Sequence, residues 1–209
     1  RGCPGSNQRA LGAGGPSTTG MVNKYLKGAD LILGGGCSFT RTNFAQAIPE
    51  GKTLVHLTND EDAVGREFKT DLAMLGDAKL VLRQLLDELK SQAGSARANN
   101  KVLQDDIKAV KEEWLAQWMP KLTSNEVPMN PYRVVWDMMH TVDLYNTIIT
   151  HESSSARDYL VSFWEARAPR TIIGGGMSPL LGYSLRLSMG VKLAELDNLC
   201  INVLGVMDV

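Results

Sequence analysis

The sequence predicts an α/β fold, two parallel-sheet segments joined by a helical linker, and three observations lead to it. Short apolar runs bounded by glycine or polar residues recur in both halves of the chain: ADLILGGG, TLVHL and DLAML before residue 90, then NTIIT, TII and LCINVL after residue 128. Most are too uniformly apolar for strands with one wet face, which is the character of strands buried on both faces. Helix-compatible stretches lie between them, as crossovers between parallel strands require.

Taken in order, LGAGGPSTTG (Leu11–Gly20) is loop chemistry. Ala29–Leu33 is the first expected strand, Thr53–Leu57 the second, after Pro49 and Gly51, and Asp71–Leu75 the third, before Gly76. Asp77 is placed to cap the helix AKLVLRQLLDELKSQ, whose Leu82, Leu85, Leu86 and Leu89 recur at helical spacing, with Gly94 as its stop. After the polar SARANN comes KVLQDDIKAVKEEWLAQWM, a helix with Leu103, Ile107, Val110, Trp114 and Trp118 on one stripe, expected to end at Pro120. Asn130 followed by Pro131 opens the helix PYRVVWDMMHTV, with Val134, Met138 and Val142 on one face. Asn146–Thr150, Thr171–Ile173 and Leu199–Leu204 are the remaining strands. Pro179–Glu195 is expected as a helix in which Gly182, Ser184, Ser188 and Gly190 allow close backbone approach. The expected organisation is a first α/β domain over 1–90, a helical linker over 91–127 that packs on a neighbour, and a second α/β domain over 128–209.

Composition excludes several classes of function. With 209 residues, 44% hydrophobic, 22% charged and a formal net charge of -1, the chain suits one large or two small globular domains and lacks the basic stripe of a nucleic-acid binder. No apolar run nears the roughly 18 residues of a membrane span, and RGCPGSNQRA is not laid out as a signal peptide, so a cytoplasmic location without membrane contact is expected. Cys3, Cys37 and Cys200 are widely spaced and form no CxxC, so neither a disulfide framework nor a zinc site is indicated. His56, His140 and His151 have no metal-ligand spacing.

Three stretches could carry chemistry, each with a plain structural alternative. GGGCSF (Gly34–Phe39) follows a strand and could admit a phosphate, or be a tight turn; it is not a GxGxxG fingerprint. THESSSARD (Thr150–Asp158) offers hydroxyls and backbone amides at a strand end, or is a surface helix capped by Ser154 or Ser155 with Arg157 paired to Asp158. In GGGMSPLLGYSL (Gly174–Leu185), glycines and Pro179 at a helix start point either to a ligand or to close packing.

Together these stretches resemble a known family. ADLILGGGCSF and IPEGKTLVHLTNDEDAVGREFKTDLAMLGDAKLVLRQLL resemble the central domain of thiamine-diphosphate enzymes of the acetolactate synthase group. NTIITHESSSARD and FWEARAPRTIIGGGMSPLLGYSLRLSMGVKLAELDNLCINVLG are similar to the start of that group's diphosphate-binding domain. The resemblance implies two Rossmann-like segments and an oligomer, dimer or tetramer, that uses thiamine diphosphate and Mg2+ to cleave or join carbon–carbon bonds of 2-keto acids. It assigns cofactor contacts to His151, Glu152, Ser153, Ser154 and Ser155, to Leu181 and Gly182, and to Gly205. It also implies an Asp metal ligand directly after the Gly that Gly205 matches, where this chain has Val206, so the metal ligands stay unassigned. Ser154, Ser184 and Arg186 are further departures. The catalytic glutamate of such enzymes comes from a pyrimidine-binding domain, so this chain is expected to be a fragment truncated at both ends and inactive alone, with no catalytic residue of its own. Two other readings stay open: a non-catalytic relative serving as a binding or assembly module, and a flavin (FAD) binding protein using GGGCSF.

Overall fold

A computed structural model describes residues 7–12, 19–41, 48–93, 101–153, 155–175 and 181–205. Residues 20–105 form one compact unit, and residues 106–209 with 1–19 form another. Each holds a three-stranded, wholly parallel sheet, with helices between the two sheets and between the strands of the second, the α/β class expected from the apolar runs.

In the 20–105 unit, α1 (Gly20–Gly28) leads into β1 (Leu31–Gly35), β2 (Thr53–Thr58), β3 (Leu72–Leu75) and α2 (Ala78–Ala93). The sheet runs β1-β2-β3, with Leu33 beside Val55 and Val55 beside Leu72. β2 is central, and Leu54 to Thr58 are all buried. β1 begins two residues later than expected, at Leu31 instead of Ala29. The Ala29 amide closes the end of α1 on the Tyr25 carbonyl, and the Asp30 carbonyl takes Thr53 N–H, so pairing starts there and extends into the glycines. Asp77 caps α2 as expected, its Oδ1 accepting from Leu80 N at 3.0 Å. Gly94, the expected stop, lies outside the described residues.

The second unit contains α4 (Pro131–Thr141), β4 (Thr147–His151), α5 (Ser155–Phe163), β5 (Ile172–Gly174), α6 (Tyr183–Ala194) and β6 (Leu199–Val203). The preceding helix, α3 (Lys101–Leu122), runs through Pro120 instead of ending there. Proline removes one backbone donor and strains the preceding turn. Here it falls in the last turn, and continuing two residues places Leu122 fully inside the core beside Val135, Ile149, Leu160, Phe163 and Trp164. Burying such a side chain contributes about 1.5–3 kcal/mol, comparable to the helix cost. Aromatic rings complete the core: Trp114 stacks on Phe163 at 4.7 Å and Trp118 meets it edge-on at 5.3 Å. Burial pushes the Tyr132 phenol up, with Tyr159 and Asp158 adding to the effect.

Asn130 and Pro131 start α4 as expected, the Asn130 side chain accepting from Tyr132 N at 3.1 Å. α6 differs from expectation. It begins at Tyr183, because Gly182 adopts a left-handed φ of 75° that no helix interior contains. Pro179 lies outside the described residues. Among the described residues, no helix is long and apolar enough to cross a membrane.

Candidate functional site

In the second unit the sheet order is β5-β4-β6. The chain leaves β4 through α5 to pair β5 on one side, then leaves β5 through α6 to pair β6 on the other. That reversal is a topological switch point, and doubly wound sheets hold ligands at the carboxyl ends of the strands flanking it. At this end His151 is in register with Gly174 of β5 and with Val203 of β6. The expected residues His151 to Ser155 and Leu181 to Gly182 follow the ends of β4 and β5, and Gly205 follows the end of β6.

His151 is buried, and its Nδ1 donates to the Glu152 carbonyl at 3.0 Å, since a carbonyl can only accept. Its ring fills the space beside Gly174: a Cβ there would stand 2.3 Å from two of its atoms. The first glycine of GGGMSPLLGYSL thus lies close to a side chain of β4, and not to a helix.

Glu152 has 1% of its surface exposed. One carboxylate oxygen accepts from Ser184 N at 3.1 Å, in the first turn of α6, and the other from Ser153 N at 3.3 Å. Its own N–H donates to the Val203 carbonyl at 3.0 Å. Beneath it, Thr150 Oγ1 donates toward Asn202 Oδ1 at 3.0 Å. Ser184 Oγ and Asn202 Nδ2 are buried there with no hydrogen-bond partner among the described residues.

The other expected residues are more open. Ser153 is half-buried, Ser155 is exposed as the first residue of α5, Leu181 is 58% exposed and Gly182 and Gly205 are half-buried. Ser154 and Val206 lie outside the described residues. Arg157 pairs with Asp158 at 3.1 Å, as the surface-helix reading of THESSSARD expected. Thr150, Asn202 and Gly174 join the site without having been assigned to it. The glycine triplet was a visible signal for Gly174, whereas Asn202 sits inside an apolar run and gave none.

This donor set suits a diphosphate. The Ser155 side chain is exposed at the start of α5, and Glu152, buried, has both carboxylate oxygens engaged by backbone N–H groups. Among the described residues, no group of three or more His, Cys, Asp or Glu could hold a metal ion.

The corresponding strand end in the 20–105 unit is filled by its own loop. A Cβ on Gly34 would stand 2.1 Å from the Phe39 ring and 2.8 Å from Cys37 Sγ. Phe39, at a φ of 46°, meets His56 edge-on at 4.8 Å, and His56 Nε2 donates to the Cys37 carbonyl at 2.7 Å. At GGGCSF, whose first two glycines end β1, Gly34 thus admits the phenyl ring of Phe39.

The thiamine pyrophosphate enzyme central-domain model matches residues 2–85. Over nearly its whole length the chain is a distant homologue of acetolactate synthase large subunits. The chain is therefore similar to thiamine pyrophosphate enzymes, through this central-domain match and this distant homology. It is 23% identical to a probable acetolactate synthase large subunit of Methanococcus aeolicus, over 98% of this chain and 36% of that protein. To the probable large subunit of Methanocaldococcus jannaschii it is 27% identical over 93% of the chain and 33% of the relative. To the acetolactate synthase isozyme 3 large subunit of Escherichia coli K12 it is 24% identical over 97% and 35%. The chain therefore spans about a third of the length of the curated relatives it matches.

Proposed function

We propose that this chain is part of an acetolactate-synthase-like enzyme that uses thiamine diphosphate and Mg2+ in carbon–carbon cleavage or ligation of 2-keto acids, and that its second unit carries the diphosphate half of the cofactor site. The observation that carries this reading is the order reversal at β4 of a parallel sheet, which puts a switch point at the end where His151, Glu152 and Ser153 leave β4, the end from which the chain leaves β5 toward Leu181 and Gly182. When bound, thiamine diphosphate supplies a nucleophilic carbon and an electron sink for decarboxylation.

The residues of this chain would hold and orient it. Ser155 offers a hydroxyl at the exposed start of α5, whose N-terminus points positive charge toward an anion, and the left-handed turn at Gly182 lets the backbone at the start of α6 come close to phosphate oxygens. The His151 ring packs against Gly174 at the ends of β4 and β5. The metal would require oxygen ligands, which the resemblance assigns to the stretch after Gly205. The same reading expects a homo-oligomer, to be checked by native mass spectrometry.

Calorimetric titration of the purified chain with thiamine diphosphate, with and without magnesium, tests the reading. Magnesium-dependent binding at one site per chain is the expected result. No heat of binding in either condition would overturn it.

A further inference from the structure

The buried Glu152 is the group that joins the most elements at this strand end, although resemblance assigns it only as one more cofactor contact. Its N–H is held by β6 through the Val203 carbonyl, and its carbonyl accepts from His151. One side-chain oxygen takes the amide of Ser184 in α6, and the other folds back on Ser153 N. With 1% exposure the carboxylate is turned inward, away from where a soluble ligand would sit.

The geometry points to Glu152 as a positioning residue: its carboxylate clamps the start of α6 to the end of β4, and thereby holds the Leu181–Gly182 turn and Ser153 at the spacing a diphosphate needs. This rests on the cofactor reading above and deepens it. The physical case is one of valence. Two backbone N–H groups on different segments, Ser153 and Ser184, converge on one side chain, and only a carboxylate offers an acceptor atom to each. A helix start has amides without intrahelical acceptors, and a charged acceptor there forms the stronger class of hydrogen bond. Gly182, left-handed at a φ of 75°, immediately precedes the helix start that this clamp holds.

The test uses Glu152→Gln, which keeps the length and volume but offers one acceptor in place of two. Two readouts are needed. Amide exchange by NMR, with no ligand present, is expected to quicken about tenfold at Ser184 while Ile149 and Ile201 in the strands stay unchanged. Affinity for thiamine diphosphate with magnesium is expected to fall about tenfold, while affinity for thiamine monophosphate, which lacks the terminal phosphate, holds. Glu152→Asp, which keeps the charge but shortens the reach, is expected to act in the same direction and serves if the Gln variant folds poorly.

Unchanged exchange at Ser184 would overturn the clamp. A rise shared equally by Ile149 and Ile201, with equal losses for both thiamine phosphates, would overturn the positioning role in favour of general support of the fold. If the unsubstituted chain binds neither thiamine phosphate, the cofactor reading is what fails. The exchange measurement, which uses no ligand, then still decides whether Glu152 holds α6.

Discussion

The carboxyl ends of the two sheets are built on the same pairing and put it to different use. In each, a glycine from a GGG run is in register with a histidine of the neighbouring central strand: Gly34 with His56, and Gly174 with His151. In the 20–105 unit the space above Gly34 is taken by Phe39, and strand order follows chain order. In the second unit the histidine itself occupies the space beside Gly174, strand order reverses at β4, and two helix starts, those of α5 and α6, follow the strands at that end. The comparison teaches that the glycine run is a packing device in both places. What differs between the two strand ends is the side chain that fills the space and the order of the strands.

Three substitutions would break that comparison, and they differ in size. His56→Ala removes a fully buried ring that holds the loop through the Cys37 carbonyl, and should cost roughly 2–4 kcal/mol in urea unfolding of the 20–105 sheet. Gly174→Ala forces a methyl group against the buried His151 ring, an overpacking cost of about 1–3 kcal/mol. The sharper form is a double-mutant cycle: in a His151→Ala background the added methyl meets open space, so most of that cost should vanish. An unchanged cost in the double variant would mean that the backbone of β5, and not the ring, is what Gly174 accommodates. Gly34→Ala should cost less, about 1 kcal/mol or below, because its obstacle is Phe39 on an exposed loop that can turn outward.

The fold was legible in the sequence because its signals are local. Asp77 and Asn130 cap helices where their side chains allow, and the buried strands announce themselves as apolar runs. The errors fall where tertiary contacts outweigh local chemistry. Pro120 does not end α3 because Leu122 has a core to enter, and Gly182 precedes α6 instead of lying within it. For the site, the pattern HESSS was visible, but the pattern cannot show that Glu152 turns inward while Ser155 faces solvent. Nor can it show that the glycine runs are filled by Phe39 and His151, since those contacts depend on strand register. Asn202 was invisible for a similar reason, because its relation to Thr150 exists only across the β4–β6 pair.

A smaller effect separates the two ends of β4. Before that strand, Asp143 accepts from Tyr145 N at 2.9 Å and from the Asn146 side chain at 2.7 Å. These bonds, the Tyr145 amide first, hold its carboxyl below the usual carboxylate range. A depressed folded-state pKa contributes stability that is present above the unfolded value and is lost as pH falls through the folded one. Asp143→Asn should therefore lose that contribution near neutrality and change little at the acid end, which flattens the stability profile between the two. The check is a series of thermal melts from acid to neutral pH on both proteins. An acid limb equally steep in both would assign it to other carboxylates.

The smallest expected effect is the most informative about Ser184. Its amide is bound by Glu152, yet its hydroxyl is buried with no partner among the described residues. An unpaired buried hydroxyl destabilises a fold, so Ser184→Ala should be neutral or stabilising by up to about 1 kcal/mol. The alanine keeps the N–H that Glu152 holds, so the clamp should survive, and amide exchange at position 184 should match the unsubstituted chain. A clear loss of stability would mean that the hydroxyl has a partner, and a buried water shared with Asn202 Nδ2 is the arrangement that would satisfy both orphaned groups together. In that case the space beneath Glu152 would be a hydrated polar core, and the inward turn of its carboxylate would owe as much to that water as to the start of α6.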